Sequence, residues 1–397
     1  MSPIGRFAAR GAITTIAAIS LLAACSGSSA PTTSDQATAS TTTQGTTSSA
    51  PAEPSRSDTL TVVTHDSFAL SDEAKAKFET DTGLKVTYVA PGDAGSMANQ
   101  LVLTKDSPLG DVVFGIDNTF ASRVAGAGVL DPYAAAPLPT SANDLSADDG
   151  HLLTPIDYGD VCVNADKGWY AAKNLPIPTS LDDLAGAAYK DQLVVENPAS
   201  SSPGLAFLAA TVGAKGEDGY LDYWGKLTDN GVKIAKGWTE AYTGDFSGSA
   251  GKGPRPLVVS YATSPAFEVD KGATESRTVA LLDTCFRQVE YAGVLKGSQN
   301  VWGAQKFIDF MLSKEVQAEI PEQMYMYPVD TSVTLPADWV KFAPLAPKPI
   351  AVDASVTLPA DWVKFAPLSP KPIAVDAATI GAQRETWIKD WTARVLG

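Results

Sequence analysis

The chain has 397 residues, of which 45 are acidic and 30 basic, and its formal net charge is −15. This charge argues against nucleic acid and anionic lipid as partners. The composition is that of a globular protein, and the roughly 340 residues that follow the N-terminal segments exceed one typical core, which predicts two lobes.

The N-terminal residues carry an export pattern. Two arginines precede an apolar stretch that ends in Ala23, Ala24 and Cys25. This stretch is too short to span a bilayer, and small residues before a cysteine are typical of a lipoprotein signal. We therefore predict that residues 1–24 are a signal peptide and that a lipid on Cys25 anchors the chain to the cell membrane. An ordinary secretory signal is the alternative.

Residues 25–57 are rich in Ser, Thr, Ala and Pro and contain no aromatic residue. Such a segment cannot bury enough apolar surface to offset the entropy of ordering. We expect a disordered tether, which can also carry sugars.

Strand-like runs then alternate with helical patterns. The predicted strands are Leu60–Val63, Lys85–Val89 and Asp111–Phe114, and the predicted helices are Asp72–Thr82 and Ser96–Leu103. Ser71 can cap the first helix and Gly83 can end it. The alternation predicts an α/β fold with parallel, doubly wound sheets and ligand-binding loops at the carboxyl ends of the strands.

The α/β pattern restarts near Thr154 and continues to about Lys296, which predicts two lobes joined by crossing strands. The segments that we assign are 58–155 to the first lobe, 156–289 to the second, 290–331 to a return into the first, and 378–397 to a C-terminal helix.

Residues 332–354 are repeated as residues 355–377 with one change, Ala346 against Ser369. A solenoid would need more copies and regular helical or strand units. We expect one copy to loop out on the surface, with no effect on ligand binding when residues 355–377 are deleted.

Cys162 and Cys285 remain once Cys25 is assigned to the anchor. In an oxidising compartment a pair of cysteines predicts a disulfide first. Both lie in strand-like runs that could be neighbours in one sheet. Two buried thiols or a catalytic cysteine are the alternatives.

No catalytic motif is recognisable. The glycine-rich run at residues 248–253 lacks the first glycine and the final Ser or Thr of a phosphate-binding loop, and no Gly-x-Ser-x-Gly sequence occurs. His65 and His151 lie far apart, without a nearby cysteine, which does not suggest zinc. We therefore assign no catalytic residue, no metal and no cofactor.

Several segments carry a more specific signal. They are Thr64–Phe68, Gly115–Asn118, Asp157–Gly159, Lys236–Tyr242, Val259–Pro265 and Met324–Val329. Together they resemble the thiamine-binding proteins of bacterial ABC transporters, from about Leu60 to about Val333 and again over Gln383–Trp391. The resemblance implies a two-lobed periplasmic-binding-protein type 2 fold, each lobe a doubly wound sheet. It also implies capture of thiamine or thiamine phosphates in the cleft between the lobes and delivery to an ABC transporter permease.

The resemblance places a set of residues at the ligand: Asp93, Ala94, Ser201, Ser202, Trp238, Tyr261, Ala262, Thr263, Ser264 and Tyr325. The three aromatic side chains of this set can stack on the aminopyrimidine or face the thiazolium cation. Asp66, Asp93 or Asp117 can offset the positive charge. His65 and Phe267 stand where relatives tend to carry tyrosine.

Ser202 directly precedes Pro203, which fits a helix N-cap with proline at the first helical position. The free backbone donors of such a helix start could hold a hydroxyl or phosphate group of the ligand.

We expect a monomeric, extracytoplasmic binding protein that performs no chemistry. One alternative is capture of another small ligand, such as ferric ion or a polyamine. The other is a thiaminase-like enzyme with Cys162 as nucleophile. A disulfide between Cys162 and Cys285 would exclude that nucleophile.

Overall fold

The computed structural model describes residues 53–343, 373 and 375–397. The predicted signal peptide, the predicted lipidation site Cys25, most of the predicted tether and the middle of the duplication lie outside these residues. Within the described part of the chain, no helix is both long and apolar enough to cross a membrane.

The strands of the described residues form one mixed sheet of ten. They are β1 (Thr59–Thr64), β2 (Lys85–Val89), β3 (Val112–Asp117), β4 (Leu130–Asp131), β5 (Thr154–Asp166), β6 (Leu193–Glu196), β7 (Lys233–Ala235), β8 (Leu257–Tyr261), β9 (Thr278–Leu295) and β10 (Tyr327–Pro328). Their order is β2-β1-β3-β9-β5-β8-β6-β7, with β4 beside β9 and β10 beside β5.

The two longest strands, β5 and β9, run antiparallel through the middle of the sheet. On one side β1 is parallel to β2 and β3, and on the other β6 is parallel to β7 and β8. Two α/β halves therefore share two crossing strands. The parallel pairs within each half are as predicted, whereas the crossing strands β9 and β5 run against their neighbours β3 and β8. Strands that pass between the halves in opposite directions must pair in this way.

Helices pack on this sheet. They are α1 (Asp72–Thr82), α2 (Ala94–Leu103), α3 (Ala121–Gly126), α4 (Lys167–Lys173), α5 (Leu181–Leu184), α6 (Ser202–Lys215), α7 (Tyr220–Asp229), α8 (Val301–Met311), α9 (Lys314–Met324), α10 (Ala337–Phe342) and α11 (Ala377–Val395). Short 3₁₀ or π turns occur at Thr140–Leu145, Ala187–Tyr189, Glu240–Asp245 and Ser264–Glu268.

The first helix follows from local sequence signals. Ser71 Oγ accepts a hydrogen bond from Ala74 N at 3.0 Å, and Gly83 ends the helix with a left-handed φ of 72°. Glycine adopts this conformation without steric penalty. The predicted bounds of α1 and β2 are confirmed.

The C-terminal helix α11 packs against α3 in one half and α7 in the other. Its Trp391 is fully buried and meets Trp224 of α7 edge to face, with ring centroids 5.3 Å apart. Apolar burial on this scale stabilises each side chain by about 2–3 kcal/mol. The helix therefore contributes to the core.

The duplication is described only at its two ends. The first copy contributes α10, whose Trp339 is buried against Tyr327 and Phe267. The second copy contributes Ile373 and Asp376, and Asp376 caps α11 by accepting from Thr379 N at 2.8 Å. The expected surface loop lies outside the described residues.

Cys162 on β5 and Cys285 on β9 are joined by a disulfide, with their Cα atoms 4.2 Å apart. Both side chains are fully buried. The bond links the two crossing strands at a point where they are neighbours in the sheet.

Candidate ligand-binding site

A cavity of about 250 Å³ lies where loops from the two halves meet. This volume is close to the lower end of the range for small-molecule sites, about 300–1,000 Å³. The sequence-predicted residues that line it are Asp93, Ala94, Ser202, Trp238, Tyr261 and Tyr325. The other lining residues are His65, Ser67, Pro203, Thr239, Thr243, Glu290, Gln323, Met324 and Met326.

Asp93 connects three chain segments at the cavity wall. As the N-cap of α2 it accepts from Ala94 N at 2.6 Å, and it also accepts from Ser202 N at 3.3 Å and Trp238 N at 3.0 Å. A Cβ at position 237 would come within 2.8 Å of Asp93 Oδ2, so Gly237 permits this close approach. Burial raises the pKa of Asp93 above its usual value, although the bond from Trp238 opposes the rise.

Aromatic rings form one side of the cavity. Trp238 stacks on Tyr242 with centroids 5.0 Å apart and an interplanar angle of 12°, and it meets Tyr325 nearly edge to face at 5.6 Å. Trp238 Nε1 donates to Ser260 Oγ at 2.9 Å, which fixes the indole ring. These contacts hold the indole as a rigid platform for a flat ligand.

Tyr325 is positioned by its backbone and its neighbours. It ends α9 in the left-handed conformation, with φ of 63°, and Thr263 Oγ1 donates to its carbonyl. Its ring stacks on Phe267 at a centroid distance of 3.4 Å. Phe267 thus supports the aromatic wall from behind and does not itself line the cavity.

Acidic groups also line the cavity. Glu290 Oε2 lies 3.7 Å from His65 Nε2, and Gln288 Nε2 donates to Glu290 Oε1 at 2.9 Å. The same amide donates to the Tyr261 hydroxyl at 3.3 Å, which links the aromatic and acidic sides. Two further carboxyl groups, Asp157 and Glu196, are fully buried nearby, and burial raises the pKa of each well above its usual value. The carboxyl groups that line the cavity, Asp93 and Glu290, can attract a cation.

The remaining predicted residues lie around the cavity. Asp117 is fully buried and accepts from Ser202 Oγ and from Thr119 N. Burial raises the pKa of Asp117 to about 7. Asp66 is exposed and does not line the cavity.

Ser201, Ala262, Thr263 and Ser264 are buried behind the lining residues. Ser264 Oγ accepts from Tyr261 N at 3.2 Å and lies 2.8 Å from Ser260 Oγ, so these side chains position the site from behind.

The expectation that Ser202 caps α6 was wrong. Ser201 is the N-cap residue, and Ser202 is the first residue of the helix. The Ser202 hydroxyl donates to Asp117, and its backbone N–H donates to Asp93. Side chains from the other half of the molecule thus satisfy this helix start, which local sequence cannot reveal.

Two residues with ionisable side chains, His65 and Glu290, line the cavity but were not predicted from the sequence to contact the ligand. His65 lies within the recognised segment Thr64–Phe68, which is the one sequence signal for it. Glu290 lies inside a long strand and carries no local signal.

Two of the alternatives, a Cys162 nucleophile and a ferric-ion site, depend on groups that the structure describes. Cys162 does not line the cavity and its sulfur is bonded to Cys285, so it is not a nucleophile in this structure. Among the residues that the structure describes, no group of three or more His, Cys, Asp or Glu side chains could hold a metal ion.

A cavity between two α/β halves with shared crossing strands is the architecture of a solute-binding protein. The family model described as bacterial extracellular solute-binding protein matches residues 107–345. The chain belongs to this family, whose members bind solutes outside the cytoplasm.

Its relatives include proteins named for one solute. It is 31% identical over 341 residues to the thiamine-binding periplasmic protein of Escherichia coli (strain K12), which covers 85% of this chain and 93% of the relative. It is also 31% identical over 288 residues to the thiamine-binding periplasmic protein of Brucella suis biovar 1 (strain 1330), over 70% and 82% of the two chains. The resemblance inferred from short segments is thereby confirmed.

A solved structure of a periplasmic thiamin binding protein superposes with a TM-score of 0.69 at 30% identity, over 85% of this chain and 96% of that chain. The periplasmic binding protein AfuA from Actinobacillus pleuropneumoniae superposes with a TM-score of 0.68 at 19% identity, over 86% and 99%. The second likeness concerns the fold alone. The predicted two-lobed periplasmic-binding fold is confirmed.

Proposed function

We propose that this protein captures thiamine or a thiamine phosphate outside the cytoplasm and delivers it to the permease of an ABC importer. The observation that carries the proposal is the cavity itself, which is lined by Trp238, Tyr261 and Tyr325 and by the buried carboxyl groups of Asp93 and Glu290. Thiamine combines a flat aminopyrimidine with a permanently cationic thiazolium ring, and this cavity offers a partner for each.

The expected energies suit a tight binding protein. An aromatic face contributes about 0.5–2 kcal/mol to a cation, with the larger value when the contact is desolvated. A hydrogen bond that involves a carboxylate contributes about 1.5–3 kcal/mol. The names of the relatives that align over most of this chain support the same ligand.

The organisation that we propose follows from the sequence. Lipid on Cys25 holds a monomer at the membrane through the tether. Residues 58–155 and 290–331 form one lobe and residues 156–289 the other. The bonds from Ser202 N and Trp238 N to Asp93 support a closed form, because they connect segments assigned to different lobes.

Calorimetric titration of thiamine into the purified protein tests the ligand. We expect saturable one-to-one binding, a Kd raised at least about 10-fold by Trp238→Ala, and intact thiamine recovered by mass spectrometry. The matched control is Trp302→Ala, because Trp302 packs under Arg56 away from the cavity. Absence of heat with thiamine and its phosphates would overturn the proposal, and recovery of cleaved thiamine would indicate an enzyme.

A further inference from the structure

We propose that Glu290 recognises the positive charge of the ligand, and that the cation binds in exchange for a proton held between the Glu290 and Asp157 carboxyl groups. This inference rests on the proposed function and concerns the regulation of the same site. It assigns roles to two residues that carry no local sequence signal for ligand binding.

The two carboxyl groups face each other across the crossing strands. Glu290 on β9 and Asp157 on β5 are directly paired in the sheet, which brings the two carboxyl groups to neighbouring positions. Asp157 is fully buried, and neither of its oxygens receives a hydrogen bond from a donor among the described residues. Two neighbouring carboxyl groups repel each other when both are charged, and burial disfavours the charged form, so this pair retains a proton that an isolated carboxyl group would lose.

The division of roles follows from exposure to the cavity. Glu290 lines the cavity, whereas Asp157 lies behind it. Burial, followed by the charge of Glu290, raises the pKa of Asp157 well above its usual value. Asp157 therefore holds its proton more firmly than an isolated carboxyl group does, and Glu290 is the member of the pair that the ligand can reach. A cation beside Glu290 offsets the contribution of the Glu290 charge to this raised pKa, so Asp157 releases a fraction of its proton to solvent when the cation binds.

His65 completes the arrangement on the cavity side. Ser67 N donates to His65 Nδ1 at 3.2 Å, which selects the tautomer with hydrogen on Nε2, and Nε2 lies 3.7 Å from Glu290 Oε2. Burial lowers the pKa of His65, but the charges of Glu290, Asp93 and Asp66 raise it above its usual value. A second proton on His65 would place a positive charge where the ligand cation belongs, so acidification weakens binding through both groups.

Other titratable groups come from every element around this cluster. Asp93 at the start of α2 and Asp66 after β1 face His65, while Asp117 on β3 and Tyr261 on β8 face Glu290. Three of these four are carboxyl groups, and each further negative charge strengthens retention of the proton in the empty site. The positive charge of a bound ligand weakens the retention of this proton. Ligand binding therefore favours release of the proton.

The test is calorimetry of thiamine binding to the full protein at pH 6, 7 and 8 in buffers of different ionisation enthalpy. We expect release of a fraction of a proton and tighter binding at higher pH. Asp157→Asn should bind thiamine with a smaller release, since the amide can still donate to Glu290, and His65→Asn should keep the part of the release that comes from Asp157. Binding without proton release from the unaltered protein would overturn the inference while the proposed function stands. Failure of thiamine to bind at all would overturn both.

A second measurement compares thiamine with a neutral analogue in which carbon replaces the thiazolium nitrogen. Glu290→Gln should weaken the binding of thiamine at least about 10-fold and the binding of the neutral analogue no more than about 2-fold. The variant keeps the shape of the side chain and removes its charge. Equal losses for the two ligands would assign Glu290 a structural role only and would overturn the inference. This comparison remains decisive if Asp157→Asn does not fold.

Discussion

The backbone N–H of Trp238 donates to Asp93 Oδ2 at 3.0 Å, and this bond joins the two halves of the molecule at the cavity. Asp93 precedes α2 in the half built on β1 to β3, whereas Trp238 follows β7 in the other half. Ser202 N donates to the same carboxylate. The two bonds together make the position of the cavity-lining indole depend on the relative position of the two halves.

Loss of this carboxylate should weaken ligand binding by destabilising the closed arrangement. Asp93→Ala removes a charged acceptor of several backbone N–H groups, each bond being worth about 1.5–3 kcal/mol. We expect thiamine affinity to fall by about 10-fold or more, measured by calorimetry. The exposed Asp106 provides a matched control as Asp106→Ala, which should bind as the unaltered protein does. Unchanged affinity in Asp93→Ala would contradict a role in closure.

The ring of Tyr325, and not its hydroxyl, should carry its contribution. The ring stacks on Phe267 and meets Trp238 at the cavity. We expect Tyr325→Phe to change the Kd by no more than about 2-fold and Tyr325→Ala to cost about 0.5–1.5 kcal/mol of binding free energy. Phe and Ala at position 325 must both adopt the same left-handed φ. A comparison of the two variants therefore isolates the contribution of the ring. A large loss in Tyr325→Phe would indicate a hydrogen bond from the hydroxyl instead.

The disulfide should stabilise the fold without taking part in ligand binding. Cys162 and Cys285 enclose a long segment, with a sequence separation of 123, and removal of such a link typically costs about 2–5 kcal/mol. We expect the double variant Cys162→Ala, Cys285→Ala to unfold at lower urea concentration and to bind thiamine with unchanged affinity at 15 °C. Loss of binding in a folded double variant would count against a purely structural role.

One copy of the duplicated segment should be dispensable. The structure describes the beginning of the first copy, through α10, and the end of the second, at Ile373 and Asp376. Removal of residues 344–366 joins these two parts into one composite copy. The result differs from removal of residues 355–377 only in whether the single copy carries Ala346 or Ser369. We expect both deletions to leave thiamine affinity and Tm unchanged, by calorimetry and thermal unfolding.

Asp117 should make stability depend on pH. Burial raises its pKa in the folded protein to about 7, above the value of about 3.9 expected for an unfolded chain. The stability linked to this proton is fully present below about pH 4 and is lost as pH rises through about 7. Asp117→Asn removes this pH dependence. The Tm of the variant minus that of the unaltered protein should therefore rise from pH 5 to pH 8, by roughly 2–4 °C for each kcal/mol of stability that the unaltered protein loses. A Tm difference independent of pH would show that Asp117 does not titrate in this range.

Local signals were sufficient for part of the fold. Ser71 and Gly83 set the ends of α1 because a cap hydrogen bond and a left-handed glycine act within a few residues of the chain. The cysteine pair was predicted from composition and the expected compartment, and the structure places it on neighbouring strands. The positions of Trp238, Tyr261 and Tyr325 at one cavity followed from the family resemblance, since isolated aromatic residues are more often part of the core.

Other features needed the tertiary structure. Ser202 fitted a helix cap by its neighbours in sequence, but Asp93 and Asp117 from the other half take its hydrogen bonds. Asp157 was recognised only as part of a short motif. Its burial against Glu290 depends on the register of two strands that are far apart in the sequence.

The sequence by itself determined the alternation of strands and helices, the ends of the first helix, the pairing of the cysteines and the family, because these depend on local backbone preferences and on residue patterns along the chain. The tertiary structure decided the antiparallel course of the crossing strands and the carboxyl groups that meet beside the ligand cavity. Electrostatic interaction depends on distance and burial in space, and only the packed sheet brings Asp157, Glu290 and His65 together.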